Sequence, residues 1–447
     1  MSERDIPTNS LPFAPETRGQ YNTADSVKGV NESSHGWGGW GGWRFLSQDA
    51  RKDNGKQSVD SMTPSTFYTA TPGYEVGFGT PGRINPGSAY GRVLQEHKLL
   101  EAKEIEINWS GRGQHVDFGI NEIIPLETER TIGHSATALV ESVRCRRIRL
   151  ARKSIRCNRH AKPEDLVKEV AYLHKLRHPH IVQLVGTYLQ KKTFAILLYP
   201  VASGNLQNYL DKLEISQSRD MLADLARFFF CLTHGLRYMH EQGIRHMDIK
   251  PSNILVHHRE AMSFGGVRSI LFTDFGISKT FTEEDGSQTA GPAALTKRWC
   301  SPEVAAQEPR GRAADVFSLG CVFATMYSVL VNAPLADFEG VREESGAGDA
   351  FHLAILQVHN WLDNLPSERT IINTWYSRRS MVELLKGMMA RNPKGRPPAS
   401  AVAHRLENDE NAFEAWRRGK DMWRCCRESP ESYRVAEEDE MNALAHE

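Results

Sequence analysis

The chain has 447 residues, of which 40% are hydrophobic and 25% are charged. These proportions are ordinary for a globular protein and exclude a collagen-like or a highly charged disordered chain. The 55 basic and 55 acidic side chains cancel, so the net charge gives no reason to expect a nucleic acid or a membrane as partner. Seven scattered cysteines and an N-terminus without an apolar stretch favour the cytosol or the nucleus.

Residues 1–115 are rich in Gly, Ser, Pro, Asn and Thr and have no sustained apolar periodicity. Such a segment buries too little apolar surface to offset its chain entropy, so we expect a disordered N-terminal arm. Within it, the stretch WGGWGGW from Trp37 to Trp43 is either a low-complexity tract or a docking motif that uses tryptophans as anchors. The sequence alone does not distinguish these alternatives.

Strand-like segments dominate the next part, up to about residue 200. The predicted strands are Asn121–Leu126, Ala138–Arg144, Arg147–Ser154, Ile181–Tyr188 and Phe194–Tyr199. One helix is predicted at Pro163–Leu176, because Pro163, Glu164 and Asp165 suit a helix N-terminus. This order predicts a small, mostly antiparallel sheet with one helix on it.

A helical pattern follows from Asn205. The predicted helices are Gln207–Leu213, Arg219–Gln242, Ala313–Val331, His352–Leu362 and Met381–Ala390, with short strands at Ile254–His257 and Ser269–Thr273. The apolar run Leu319–Val331 is too short to span a bilayer and is predicted to be a buried helix. The fold class is therefore α+β with two lobes, about 116–200 and 201–407, a cleft between them, and a charged tail over 408–447.

The stretch from His246 to Asn253, HMDIKPSN, carries the strongest chemical signal. It resembles the pattern H-x-D-x-K-P-x-N of a protein-kinase catalytic loop, a site of phosphoryl transfer. Phosphoryl transfer requires an oriented nucleophile and neutralised phosphate charge rather than covalent help. Asp248 can accept the proton of an attacking hydroxyl, Lys250 can offset phosphate charge, and Asn253 can ligate magnesium. The alternative is a polar loop that matches by coincidence, and four polar residues and a proline in the right order argue against it.

A second motif, Asp274-Phe275-Gly276, follows the apolar strand Ile270–Phe272. A carboxylate at a strand end, followed by glycine, suits a second magnesium ligand. The spacing from the first motif is somewhat long, so we expect an insertion at about His258–Val267.

Together the two motifs resemble those of the eukaryotic protein kinase family, and their wording is similar to kinase-like proteins of filamentous fungi. The resemblance covers about residues 125–407 and implies ATP and Mg²⁺ as cofactors and a protein as substrate. It implies that Lys153, in the stretch Leu150–Lys153, contacts the ATP phosphates and pairs with Glu169 on the predicted helix. For Glu169 the alternative is an ordinary solvated helix carboxylate. The metal ligands would be Asn253 and Asp274.

The resemblance also implies a nucleotide pocket. Its residues would be Ile132, Gly133, Ser135, Ala138, Val140, Ala151, Leu198, Tyr199 and Val201, together with Lys153, Asn253 and Asp274. Leu198 would be the gatekeeper. The hinge through Tyr199 and Val201 lacks one N–H donor, at Pro200.

Further sequence motifs that resemble those of the family concern the choice of acceptor residue and the residues that hold the fold together. Ser301-Pro302-Glu303 resembles the family's A-P-E motif, and Arg396 resembles the arginine that pairs with its glutamate. Thr296, seven residues before Glu303, and Lys250 imply serine or threonine as the acceptor. Asp315 in the sequence ADVFSLG resembles a buried aspartate that braces the catalytic loop.

Two positions depart from the family pattern. The glycine-rich loop keeps only Gly133 of three glycines, which affects ATP affinity rather than the fold. Met247 replaces an arginine that, in the family, binds a phosphate group carried by the activation segment. The sequence predicts an active serine/threonine kinase, and the alternative is a pseudokinase that acts as a scaffold. A small-molecule phosphotransferase is disfavoured by the Ser301–Glu303 motif with Thr296.

Overall fold

The computed structural model describes residues 84, 88–100, 107–134, 138–159, 162–258, 268–274, 297–309, 311–344, 346, 348–366, 376–409 and 424–427. The elements of the first lobe are α1 (Ala89–Glu96), β1 (His115–Phe118), β2 (Glu127–His134), β3 (Ala138–Cys145), β4 (Ile148–Arg156), α2 (Pro163–Lys175), β5 (Gln183–Gln190) and β6 (Thr193–Tyr199). Those of the second lobe are β7 (Gly204–Asn205), α3 (Leu206–Ser216), α4 (Arg219–Glu241), β8 (Ile254–His258), β9 (Arg268–Phe272), α5 (Pro302–Ala305), α6 (Arg312–Leu330), α7 (Leu335–Glu343), α8 (Ile355–Asn364), α9 (Arg378–Met388), α10 (Ala399–Glu407) and α11 (Arg424–Arg427).

The first lobe is a sheet of six strands in the order β1-β5-β6-β4-β3-β2. All neighbours are antiparallel except β1, which runs parallel to β5. Helix α2 begins at Pro163, as predicted, with Glu164 and Asp165 in its first turn. The predicted bilobal α+β fold with a mostly antiparallel sheet is confirmed, although the sheet is mixed.

The predicted strand Asn121–Leu126 is wrong, because the strand begins only at Glu127. The predicted segment contains Pro125, which has no N–H to donate to a neighbouring strand. Ile123 in its centre is 88% exposed. Ile124 and Leu126 are partly buried against the hydrophobic cluster that contains Trp109 and Phe118, so they pack against the lobe without forming a strand.

Part of the segment predicted as disordered is folded. Helix α1 lies inside residues 1–115, and the Ser88 side chain accepts a hydrogen bond from the Gly91 N–H at its start. Tyr90 and Leu94 of α1 are buried, as is Trp109. An eight-residue helix depends on tertiary packing rather than on its own composition, which is why composition missed it. The tryptophan-rich stretch 37–43 lies outside the described residues.

The second lobe is built around α4 and α6. Their side chains meet at Phe229 and Phe323, whose ring centroids are 4.7 Å apart. Nearly every residue of α6 is buried, which confirms the predicted buried helix. Among the helices that the structure describes, α6 alone is long and apolar enough to cross a membrane, but it lies inside this lobe. Residues 259–267 of the insertion predicted at about His258–Val267, and most of the charged tail over 408–447, lie outside the described residues.

We predict that Gly186→Ala destabilises the first lobe. A methyl group at Gly186 would overlap the carbonyl oxygen of Gln114 and the indole nitrogen of Trp109, where β1 joins β5. The expected loss is about 2–4 kcal/mol, measured as a lower midpoint of urea denaturation. The control is Gly340→Ala on α7, where nothing lies within 4 Å of the added methyl group. It should leave stability unchanged or raise it by about 0.5–1 kcal/mol, and equal losses in both variants would contradict the packing described here.

Candidate active site

An ion pair joins the two lobes at the predicted site. The Lys153 Nζ atom on β4 lies 2.5 Å from the Asp274 Oδ1 atom, although the residues are 121 positions apart. Lys153 is only 8% exposed, and in the sheet it lies between Val140 of β3 and Ile196 of β6. Two residues predicted to contact one triphosphate are thus close enough to share it.

The catalytic-loop residues meet at one carboxylate oxygen. Lys250 Nζ and Asn253 Nδ2 both lie 2.9 Å from Asp248 Oδ2. The Asn253 amide also donates to the Asp248 carbonyl oxygen at 3.0 Å. These contacts fix the orientation of the carboxylate and of the Asn253 amide.

The amide oxygen of Asn253 offers a ligand atom to a cation. This oxygen is buried and has no hydrogen-bond partner among the described residues, whereas buried polar atoms are normally paired. The Asn253 carbonyl accepts from the Thr273 N–H at 3.1 Å, so Asp274 is one residue away from this contact. An amide oxygen with a nearby carboxylate is the kind of donor set that Mg²⁺ takes, and the residues fit the ion.

A buried aspartate holds the start of the catalytic loop. Asp315 on α6 accepts from the N–H groups of His246 at 2.9 Å and Met247 at 2.8 Å. His240 Nε2 lies 3.0 Å from the same carboxylate. Met247 has a φ of +66°, an uncommon conformation for a side-chain-bearing residue. These contacts match the bracing role expected of Asp315. The sequence analysis missed His240, which differs from its surroundings only as a polar residue on an apolar helix.

His246 connects this loop to the end of β9. Burial lowers the pKa of His246 below its usual value, so the ring is neutral. Its Nε2 atom lies 3.0 Å from the Thr273 carbonyl oxygen, which accepts only, so Nε2 carries the proton and donates. Nδ1 then accepts from the Asp248 N–H at 3.3 Å. One ring thus links Asp248 to the residue before Asp274.

The residues predicted to line the nucleotide pocket lie on neighbouring strands. Pairing places Gly133 opposite Val140 and Ala151 opposite Leu198. The pocket residues buried in one hydrophobic cluster are Ile132, Ala138, Val140, Ala151 and Leu198. At the hinge, Tyr199 and Val201 are partly buried, and the Val201 carbonyl accepts from His257 Nδ1 at 3.0 Å.

Three predicted site residues are not tested by these contacts. Ser135 and Thr296 lie outside the described residues. Glu169 lies on α2, but its side chain is not among those described. Its pairing with Lys153 stays a prediction.

The pairing expected between Glu303 and Arg396 is present and buried. The two guanidinium nitrogens lie 2.7 and 2.8 Å from the two carboxylate oxygens. The remaining N–H groups of Arg396 donate to the backbone carbonyls of Ala390, Ala313 and Arg391. Burial is the largest single influence and would raise the pKa of Glu303, but the Arg396 contact, the backbone N–H and Ser301 together lower it more, and the net result is a pKa below the ordinary 4.5.

Comparison with known sequences agrees with this geometry. The family profile described as "Protein kinase domain" matches residues 126–406, more than half of the chain. The chain belongs to the protein kinase family. Lys153, Asp248, Asn253 and Asp274 all lie within the matched range.

Curated relatives of this kinase include several protein kinases. "Calcium/calmodulin-dependent protein kinase type 1" of Caenorhabditis elegans is 32% identical over 36% of this chain and 42% of its own length. "Probable serine/threonine-protein kinase fhkE" of Dictyostelium discoideum is 28% identical over 67% of this chain and 41% of its own length. "Serine/threonine/tyrosine-protein kinase HT1" of Arabidopsis thaliana is 28% identical over 55% of each. The chain matches about half or less of the length of each of these relatives.

We predict that Glu303→Gln destabilises the kinase by about 3 kcal/mol at neutral pH, because a buried guanidinium loses its anionic partner. Since the folded-state pKa of Glu303 lies below 4.5, the pair stabilises fully above that pH and progressively less as the pH falls through the folded-state value. The difference in melting temperature between wild type and variant should therefore shrink below pH 4.5.

The control for this prediction is Glu383→Gln, which removes an exposed carboxylate that also contacts two arginines. Exposed ion pairs contribute little to stability, so this variant should have the same melting temperature as the wild type at every pH. If Glu303→Gln also had the melting temperature of the wild type at neutral pH, the buried pair would not stabilise the fold.

Proposed function

We propose that this kinase transfers the γ-phosphate of ATP to serine or threonine hydroxyls of protein substrates. The supporting observation is the convergence of Lys153 and Asp274 from two lobes next to a loop in which Asp248, Lys250 and Asn253 are hydrogen-bonded together. Phosphoryl transfer depends on such positioning and on charge neutralisation.

Each residue has a defined part in this reaction. Asp248 accepts the proton of the substrate hydroxyl as the new O–P bond forms and the bond from the γ-phosphorus to the bridging oxygen breaks, leaving ADP. Lys250, 2.9 Å from Asp248, offsets negative charge on the transferred group. Lys153 binds the ATP phosphates. Asn253 and Asp274 would hold Mg²⁺, which supplies further neutralisation of phosphate charge.

The proposed preference for serine and threonine as acceptors rests on two residues. Lys250 and, by resemblance, Thr296 favour serine and threonine. One relative is named a probable serine/threonine-protein kinase and another a serine/threonine/tyrosine-protein kinase, and the phosphorylated residue distinguishes the two specificities. The cytosolic or nuclear location stays a prediction, as does the absence of a nucleic-acid or membrane partner.

We predict that Asp248→Asn lowers phosphorylation of a generic protein substrate by about 10²–10⁴-fold, because the general base is lost. Binding of magnesium ATP, measured as a thermal shift, should persist, since the nucleotide contacts are unchanged. The matched control is Asp211→Asn on α3, an exposed carboxylate bonded only locally to Gln207, and it should retain full activity.

Each other outcome of this experiment has a distinct meaning. Label that survives in Asp248→Asn would refute the assigned base. A wild-type protein that binds magnesium ATP but labels no substrate would support the pseudokinase alternative. Acid hydrolysis of the labelled product identifies the acceptor, and predominant phosphotyrosine would contradict the proposed specificity.

We predict that activity does not require phosphorylation of the activation segment at Ser287 or Thr289, two residues outside the described ones. Met247 stands beside Asp248 in place of an arginine and carries no charge to bind a phosphate. The double variant Ser287→Ala/Thr289→Ala should keep its activity within about twofold of wild type. A loss of more than roughly tenfold would contradict the prediction, whereas a loss in Thr296→Ala would not, since the role implied for Thr296 is contact with the catalytic loop.

A further inference from the structure

Four metal-binding side chains converge in a part of the fold that the proposed reaction does not use. They are His180, in the loop before β5, Cys231 on α4, and Cys425 and Cys426 on α11. One ligand atom from each lies within 4.8 Å of the other three. His180 and Cys231 are each 1% exposed, so the group is not a surface coincidence.

The distances among the three sulfur atoms are those of a tetrahedral metal centre. They are 3.7 Å between Cys425 and Cys426 and 3.9 Å from Cys231 to each of them. Zinc–sulfur bonds of about 2.3 Å at tetrahedral angles give sulfur–sulfur distances of about 3.8 Å. A disulfide would require about 2.05 Å, so none of these pairs is covalently bonded.

His180 is oriented as a metal ligand would be. Its Nδ1 atom lies 2.8 Å from the Ile270 carbonyl oxygen, so Nδ1 carries a proton and donates to that oxygen. Nε2, which lies 3.1 Å from the Cys426 sulfur, is therefore the nitrogen left to bind a metal. Histidine ligands of zinc commonly donate their other N–H to a backbone carbonyl in this way, which fixes the ring and its tautomer.

The surroundings favour thiolates. Arg227 lies one helical turn before Cys231, is 7% exposed and donates to Asp224 at 2.9 Å. A buried guanidinium beside thiols stabilises their deprotonated form. The buried hydroxyl of Tyr376 has no hydrogen-bond partner among the described residues. Tyr376 is close enough to Cys231 and Cys426 to interact with their charges, and an unpaired buried donor near the sulfur atoms suits thiolates.

We propose that His180, Cys231, Cys425 and Cys426 form a structural zinc site. Three thiolates and one imidazole in a tetrahedral arrangement select zinc over the magnesium of the kinase cleft, which takes oxygen ligands. Binding of Zn²⁺ releases the three thiol protons to solvent, with no change of oxidation state, and the charge of the resulting centre is −1. Four protein ligands leave no open position, so the site is structural rather than catalytic.

The site would attach the C-terminal segment to the lobe. Cys425 lies 194 residues after Cys231, and α11 has four residues, too few to be a stable helix by itself. Metal ligation stabilises the folded arrangement, because the ligands are not assembled in the unfolded chain. The zinc would therefore hold α11 against α4 and the loop before β5.

The first test is the metal content of the full chain, purified without chelator and measured by plasma mass spectrometry. The expected result is about one zinc per chain. X-ray absorption should show about three sulfurs at roughly 2.3 Å and one nitrogen at roughly 2.0–2.1 Å. This measurement needs no variant, so a folding defect cannot obscure it. A zinc content near zero, both as purified and after incubation with zinc under reducing conditions, would overturn the proposal.

The second test uses the double variant Cys425→Ser/Cys426→Ser, with Cys157→Ser as control. Cys157 is partly buried like the other two but lies outside the cluster. The double variant should lose the zinc and Cys157→Ser should keep it. A zinc chelator should lower the melting temperature of wild type and control by roughly 5 °C or more and leave that of the double variant unchanged. Zinc retained by the double variant, or a disulfide between Cys231 and Cys425 found by peptide mass spectrometry in protein purified with thiols blocked, would refute the site.

Discussion

The ion pair between Lys153 and Asp274 is the constraint on which the site depends. Moving two charges out of water costs several kcal/mol each, and the attraction offsets this only when the geometry is held fixed. The fold holds both ends. Lys153 lies on β4, which is paired on both sides, by β3 and β6. Asp274 directly follows Thr273, whose N–H and carbonyl are bonded to Asn253 and His246 respectively. The ion pair therefore forms because β4 and the segment after β9 are each held in place by hydrogen bonds to their neighbours.

The catalytic loop shows how a polar loop can be fixed inside a lobe. Asp315 on α6 accepts hydrogen bonds from two consecutive backbone N–H groups of the loop, and the Thr273 carbonyl accepts one from the His246 ring. These bonds support the positive φ of Met247, which a side-chain-bearing residue adopts at a cost. Buried hydrogen bonds of this kind are expensive to leave unmade. The position of Asp248 therefore depends also on residues that never touch a substrate, Asp315 and His246.

The sequence predicted what depends on short-range order and missed what depends on distant contacts. The loop from His246 to Asn253 and helix α2 were readable because their residues lie close together in the chain. Helix α1 was not, since its burial depends on partners such as Thr187, 97 residues from Tyr90. The strand start at Glu127 was misplaced because apolar residues before it resembled a strand without having a partner. The cysteine cluster was unreadable for the same reason, as 195 residues separate Cys231 from Cys426.

The proposed zinc site and Asp274, the predicted magnesium ligand, are both connected to β9. His180, whose imidazole would bind the metal, accepts through its backbone carbonyl from the Phe272 N–H at 2.8 Å. Val182 donates to the Phe272 carbonyl at 3.0 Å, so the loop before β5 pairs with the last residue of β9. Asp274 follows two residues later. Since the imidazole also contacts the Ile270 carbonyl, the same histidine is bonded to β9 at two points. A metal that fixes His180 therefore fixes the strand that carries Asp274 to Lys153, and the C-terminal cysteines would contribute to the alignment of the cleft without approaching it.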